Sequence, residues 1–190
     1  GNAGAPPFRH EWSNELPFEL SAQCRKQEYF DGRLLLQQER DHVTFLYSAD
    51  MSQREKTLPV ERIQGELSGC LKMAARVFKV KPDAPNMAGR RNLEVIPDDE
   101  RERRYTLALP PQYKWRGNLS VCESEVHQRI VVASGYYHTL DVFHRDTKEF
   151  LLRINLPYEG VEENAVCCND DFVFVAGQFQ QCLFVYAWRN

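Results

Sequence analysis

The apolar positions of this chain fall in short runs, each about the length of a strand, separated by polar or proline-bearing breaks. The pattern is plainest from residue 118 to residue 156. Residues 118–124 alternate small polar and apolar side chains, which predicts a first strand. Arg129 to Gly135 carries a continuous apolar run, as in a strand covered on both faces. Thr139 to Phe143 alternates and predicts a half-buried strand. His144 to Lys148 is a polar turn, and Glu149 to Leu156 is a fourth strand. The order continues downstream with strands at 164–168, 171–176 and 182–187, and is traced upstream at 32–37, 43–47 and 55–60. Between these units the match is weakest. Ala75–Val80 predicts a strand, and residues 81–91 predict an inserted loop. Leu67–Val80 competes as a helix because it is rich in helix formers, although Gly69 weakens that reading.

The strands belong to a repeat. Cys24, Cys70, Cys122 and Cys167 stand 46, 52 and 45 residues apart, each at the end of a short, small-residue strand. A Leu-Pro pair precedes each of them: Leu16-Pro17, Leu58-Pro59, Leu109-Pro110 and Leu156-Pro157. Proline has no amide donor and suits the end of a strand. A four-stranded propeller blade occupies about 40–50 residues. The spacing therefore predicts an all-β chain in a single domain over 1–190: a β-propeller of about four four-stranded blades, or half of a larger propeller. The blades are expected near 18–60, 66–109, 118–156 and 164–188, the last completed by residues 8–12. A β-sandwich or barrel is the alternative, because short strands with regular turns also build those folds, and an α+β fold is a third.

Two units resemble a known repeat. Val131-Val132-Ala133-Ser134-Gly135 and Val173-Phe174-Val175-Ala176-Gly177 are similar to the second-strand element of WD40 blades. Leu140-Asp141-Val142-Phe143-His144 and Leu183-Phe184-Val185-Tyr186-Ala187-Trp188 resemble its third-strand element. The likeness covers residues 118–190. The chain has no Gly-His pair, and Trp188 alone stands at the tryptophan position, so it resembles a divergent member of that family. The resemblance implies a propeller that binds other proteins.

Charge and composition narrow the functional classes. With 24 basic and 27 acidic side chains the net charge is −3, which does not suit a general polyanion or membrane binder. No apolar run approaches the roughly 20 residues of a membrane span. Gly1 to Ala5 lacks the charged start and apolar core of an intact signal peptide. An intracellular location, cytoplasmic or nuclear, is expected.

Six cysteines could form disulfides, but their repeat positions predict buried thiols. Cys167 and Cys168 are adjacent, so on a strand they point to opposite faces and do not share an ion. No Cys-x-x-Cys or His-Glu-x-x-His spacing, phosphate loop or nucleophile elbow occurs. No metal, small-molecule cofactor or catalytic residue is expected. His127 near Cys122 is the one pairing that could activate a thiol. His42 and His138 open third strands and are expected to make structural hydrogen bonds. Residues 98–104 read as a solvated charged loop, and the Asn118-Leu119-Ser120 sequon lies at a strand start.

The remaining signal is a surface. In a propeller, the loops at 60–65, 81–91, 110–117 and 157–163 open on one face. They carry Tyr113, Lys114, Trp115, Arg116 and Tyr158, with Arg90 and Arg91 beside them. Tyr, Trp and Arg are enriched in interface hot spots, and arginine suits carboxylate or phosphate. In the alternative reading, Tyr113 and Trp115 tuck back against a sheet edge. The expected function is a protein–protein interaction scaffold, a subunit of a larger complex. Two other classes stand beside it. One is a carbohydrate-active or ligand-binding propeller enzyme, for which Glu123 is the inner-strand carboxylate. The other is an RNA-contacting subunit of a ribonucleoprotein, using Lys114, Arg116, Arg90 and Arg91.

Overall fold

The computed structural model describes residues 8–15, 24–30, 33–40, 43–50, 60–63, 78–80, 89–97, 103–116, 119–134, 138–156, 164–177 and 182–189. Among them every regular element is a strand. In chain order these are β1 (Phe8–Glu15), β2 (Cys24–Phe30), β3 (Arg33–Arg40), β4 (Val43–Asp50), β5 (Val60–Ile63), β6 (Phe78–Val80), β7 (Asn92–Pro97) and β8 (Tyr105–Ala108). They continue with β9 (Leu119–Ser124), β10 (Arg129–Ser134), β11 (Thr139–His144), β12 (Phe150–Asn155), β13 (Asn164–Cys168), β14 (Phe172–Gly177) and β15 (Cys182–Trp188). They form four antiparallel sheets: β2-β3-β4-β5, β6-β7-β8, β9-β10-β11-β12, and β13-β14-β15 with β1 as its outer strand. None of the four sheets closes on itself.

The third and fourth sheets lie close to the spans read from the sequence. The first two differ in instructive places. Residues 18–23, expected as a first strand, lie outside the described residues, and Cys24 opens β2 instead of ending a strand. Phe30 pairs with Arg33, which leaves Asp31-Gly32 for the connection, a strong hairpin dipeptide. The fourth strand of this sheet is Val60–Ile63, so residues 60–63 are strand and not loop, while residues 55–59 lie outside the described residues. In the helix-prone stretch 67–80, Phe78–Val80 is a strand that pairs with β7; residues 67–77 and most of the expected insertion, 81–88, lie outside the described residues.

The third sheet organises the core. Alternate residues of β10 point to opposite faces. Ile130 and Val132 join Val121 and Phe143 against Leu93, Val95 and Leu107 of the second sheet. Val131 and Ala133 join Cys122, Leu140 and Val142 against Val166, Val173, Val175, Tyr186 and Trp188 of the fourth sheet. A two-layer sandwich covers one face of each sheet, whereas here one sheet is covered on both. The leucines of two Leu-Pro pairs plug these layers, Leu109 on one side and Leu156 on the other. Strand β11 is a correction: it was expected to be half-buried, yet Thr139 to Phe143 are all buried. The side that alternation assigned to water is covered by the loop preceding β9, as described below.

The first strands of successive sheets lie together. β9 packs beside β13, β13 beside β2, and β6 beside β9. Ser120 ties β9 to β13, its hydroxyl accepting from the Val166 amide at 3.1 Å and donating to the Val166 carbonyl at 3.4 Å. At the outer edge of the fourth sheet, β1 runs antiparallel to β15, with Phe8 opposite Trp188 and Glu15 opposite Cys182. A bulge falls between His10 and Trp12. The His10 ring meets Tyr186 edge-on, centroids 5.5 Å apart. Strand β1 thus satisfies the outer backbone groups of β15, which would otherwise be an open edge. Deleting residues 1–15 is expected to cost about 2–3 kcal/mol, or about 5–10 °C in Tm at this chain size. Calorimetry on the truncated chain checks this, and an unchanged melt would show that the pairing does not hold the fourth sheet.

Candidate binding surface

Asp141 is the centre of the expected binding loop, and it was not among the residues singled out from the sequence. It sits on β11, opposite Val132 on one side and Arg153 of β12 on the other. Its carboxylate is completely buried. Burying a carboxylate is costly unless hydrogen bonds and a counter-charge replace its water. Both are present. Arg153 donates through Nε to Oδ1 at 2.7 Å and through Nη2 to Oδ2 at 3.0 Å, a two-pronged contact. Trp115 donates its indole N–H to Oδ2 at 2.6 Å.

Those bonds draw residues 113–115 down onto the outer half of the third sheet. Trp115 is fully buried, its ring 6.0 Å from that of Phe143. The Arg153 guanidinium lies 4.4 Å from the centre of the Tyr113 ring, and its Nη2 also donates to the Lys114 carbonyl at 3.2 Å. The other neighbour of Tyr113 is Phe150, at 5.7 Å. The tucked-back alternative is therefore what the structure shows for both aromatics. Trp115 is a core anchor and not a surface contact, and Tyr113 is half-buried under a cation.

The same loop carries the basic residues to the rim. Arg90 and Trp115 form an antiparallel bridge, with amide-to-carbonyl bonds of 2.8 Å from Arg90 and 2.7 Å from Trp115. Across it, Gly89 stands opposite Arg116 and Arg91 opposite Lys114. Gly89 has φ +79°, and a Cβ there would meet the Cγ of Arg116 and the Trp115 carbonyl at 3.3 Å, and the Cδ of Lys114 at 3.5 Å. Only glycine suits both the dihedral and the close approach. Arg91 is anchored by its Nη2, which donates to the Leu109 carbonyl at 3.2 Å, and by the Leu109 amide, which donates to its carbonyl at 2.8 Å. Arg91 and Lys114 are exposed, while Arg90 and Arg116 are half-buried. The structure thus brings Arg90, Arg91, Lys114 and Arg116 together, and Tyr158 lies outside the described residues.

A second polar cluster lies at the other end of the sheet. Glu123 at the end of β9 accepts from Arg145 Nε at 2.7 Å and from the Tyr105 hydroxyl at 3.0 Å, which links the second and third sheets. Lys148 covers the Tyr105 ring at 4.5 Å and donates to the Arg145 carbonyl. His127 donates through Nε2 to the Asp170 carbonyl at 2.7 Å and stacks on Trp188 at 4.6 Å, while Trp188 donates to the Asn169 carbonyl at 3.0 Å. His127 is thus a latch between the third and fourth sheets. Cys122 and Cys167 are buried in the core, and the Cys168 thiol points to the Glu123 carbonyl at 3.2 Å.

His138 precedes β11 with φ 52°, and its carbonyl accepts from the Leu156 amide at 2.8 Å. Burial lowers its pKa from the ordinary value of 6.5.

No protein-family profile and no curated protein matches the chain. Several solved structures are similar to it. The Cps50 (Swd1) β-propeller domain of Myceliophteria thermophila matches at 13% identity and a TM-score of 0.34, over 86% of this chain and 53% of that one. Apo AztD from Citrobacter koseri matches at 11% identity and a TM-score of 0.34, over 80% of this chain and 40% of that one. The WD40 propeller domain of Doa1 matches at 10% identity and a TM-score of 0.33, over 86% of this chain and 63% of that one. The chain spans less than two thirds of each. At such scores the reading of function rests on the chain's own geometry.

Two outcomes follow from this geometry. Asp141→Ala leaves the Arg153 guanidinium without its counter-charge and is expected to lower the unfolding free energy by about 3–5 kcal/mol, read from urea denaturation. The second concerns pH. A histidine whose pKa is depressed by folding contributes stability that is complete above the unfolded value, about 6.5, and is lost as pH falls through the folded value. Denaturation midpoints between pH 7.5 and 5 should therefore fall less steeply for His138→Asn than for the natural chain. Parallel slopes would contradict the assignment.

Proposed function

We propose that this chain is a divergent, WD40-like propeller of about four blades, or the corresponding part of a larger ring, and that it works as a protein–protein interaction scaffold. The observation that carries the reading is the clamped rim: the buried Asp141–Arg153–Trp115 arrangement holds residues 113–116 in one shape, with Lys114 exposed beside Arg91. A loop ordered before a partner arrives loses less entropy on binding, which is what a recognition surface needs. The second sheet leans on the third, the third on the fourth and the fourth on the first, which supports a radial arrangement of blades.

The enzyme reading draws less support. Glu123, the inner-strand carboxylate it requires, is occupied by Arg145 and Tyr105 in a contact between sheets, with only 3% of its side chain exposed. The role as a subunit of an intracellular complex, cytoplasmic or nuclear, belongs to the same proposal.

The test is partner retention. Isolated from its native source, the chain is expected to elute above its own mass of 22.2 kDa. The double variant Arg91→Ala, Lys114→Ala should elute as the free chain with its Tm lowered by no more than about 4 °C, the worth of the Arg91–Leu109 hydrogen bond, because both side chains lie outside the core. Light scattering reads both masses. A complex that survives the double substitution would place the interface elsewhere.

A further inference from the structure

The rim ribbon made by residues 89–91 and 114–116 has a chemistry that narrows its partner. Its backbone is already engaged. Arg90 and Trp115 bond each other through amide and carbonyl, the Lys114 carbonyl takes Arg153, and the Arg91 carbonyl takes the Leu109 amide. An incoming strand finds little ladder to extend there, so recognition falls to side chains. On a ribbon, alternate residues share a face. Arg91, Lys114 and Arg116 therefore lie on the face opposite the buried Trp115, and the bare Cα of Gly89 makes a floor over which the stems of Lys114 and Arg116 pass. Among the described residues, neither Arg91 nor Lys114 has an ion-pair partner. The nearby carboxylates are engaged elsewhere: Asp141 takes Arg153 and Trp115, and Glu94 faces Arg104 at 3.5 Å.

Such a surface attracts anions. Of the two macromolecules that supply them, the aromatics decide between nucleic acid and acidic protein. Single-stranded nucleic acid binds by stacking bases on open aromatic faces beside cations. Here Trp115 is fully buried, and Tyr113 is occupied by Arg153 and Phe150. What is offered is charge and the planar fork of arginine, which suits carboxylates. The overall charge of −3 does not oppose this, since charges more than about 8 Å away are screened at physiological salt.

We propose that this ribbon docks an acidic peptide segment, rich in Asp and Glu, of the partner protein, with Arg91 and Lys114 as its principal charge contacts and Arg116 alongside. The inference rests on the scaffold reading and gives the partner its chemistry.

The test uses the full chain with two charge-matched fluorescent probes, hexaglutamate and hexauridylate, followed by anisotropy at 50 and 200 mM salt. Hexaglutamate should bind at low salt, weaken about tenfold or more at 200 mM, and lose at least about tenfold with Arg91→Glu plus Lys114→Glu. Hexauridylate should bind no more tightly than the peptide. Circular dichroism confirms that the variant is folded, and the milder Arg91→Gln plus Lys114→Gln repeats the measurement if it is not. Absent peptide binding, binding unchanged in the variants, or tighter binding of hexauridylate would each overturn the proposal. If the peptide fails while the alanine pair still releases the native partner, the acidic chemistry is wrong and the scaffold reading stands. If both fail, the ribbon is not an interface.

Discussion

The inner strands β10 and β11 of the third sheet have no side facing water, and most of the architecture follows from that constraint. A strand such as β10, with apolar side chains on both faces, is stable only between two other layers. The second and fourth sheets supply them, one through Leu93, Val95 and Leu107 and the other through Val166, Val173 and Val175. Neither flanking sheet could be removed without exposing half of this core. The units are therefore interdependent, as in repeat proteins where each unit buries its face on a neighbour.

Within this apolar setting the Asp141 carboxylate is fully buried, and its satisfaction shapes the proposed binding surface. Asp141 needs a counter-ion and hydrogen-bond donors, and it obtains them from Arg153 directly across the strand pair and from Trp115, 26 residues earlier in the chain. A buried ion pair of this kind adds little net stability compared with apolar packing, but it is strongly directional. Its consequence is positional: it sets the height and orientation of the loop, and hence where Lys114 and Arg91 emerge. The core and the rim are two faces of one arrangement, since Trp115 belongs to the core while its neighbour Lys114 and the facing Arg91 belong to the rim.

The two ends of the sheets are specialised differently. At one end, Glu123, Arg145 and Tyr105 are turned toward each other across a sheet boundary, and His127 stacks on Trp188 across the next. These charges and rings are spent on holding sheets together. At the other end, the acidic partners are taken inward and the basic side chains are left facing out. That asymmetry is what supports the proposal that the second end is the one offered for recognition.

The amino-acid sequence made strand content legible, because alternation and continuous apolar runs are local signals. It located all four strands of the third sheet and the three chain-consecutive strands of the fourth within a residue or so. It also named Arg90, Arg91, Lys114 and Arg116, which the structure brings together around the bridge between Arg90 and Trp115. It left Trp115 open between a surface contact and a tucked-back position, did not reveal that β11 has no solvent face, and passed over Asp141 and Arg153. The one hint was an acid inside an otherwise apolar strand with an arginine on the strand after it. That hint becomes a contact only through register, which puts Asp141 opposite Arg153, and through the fold of a distant loop that delivers an indole N–H. Burial of a polar group is decided by what lies above it, and only the tertiary structure brings that cover into place.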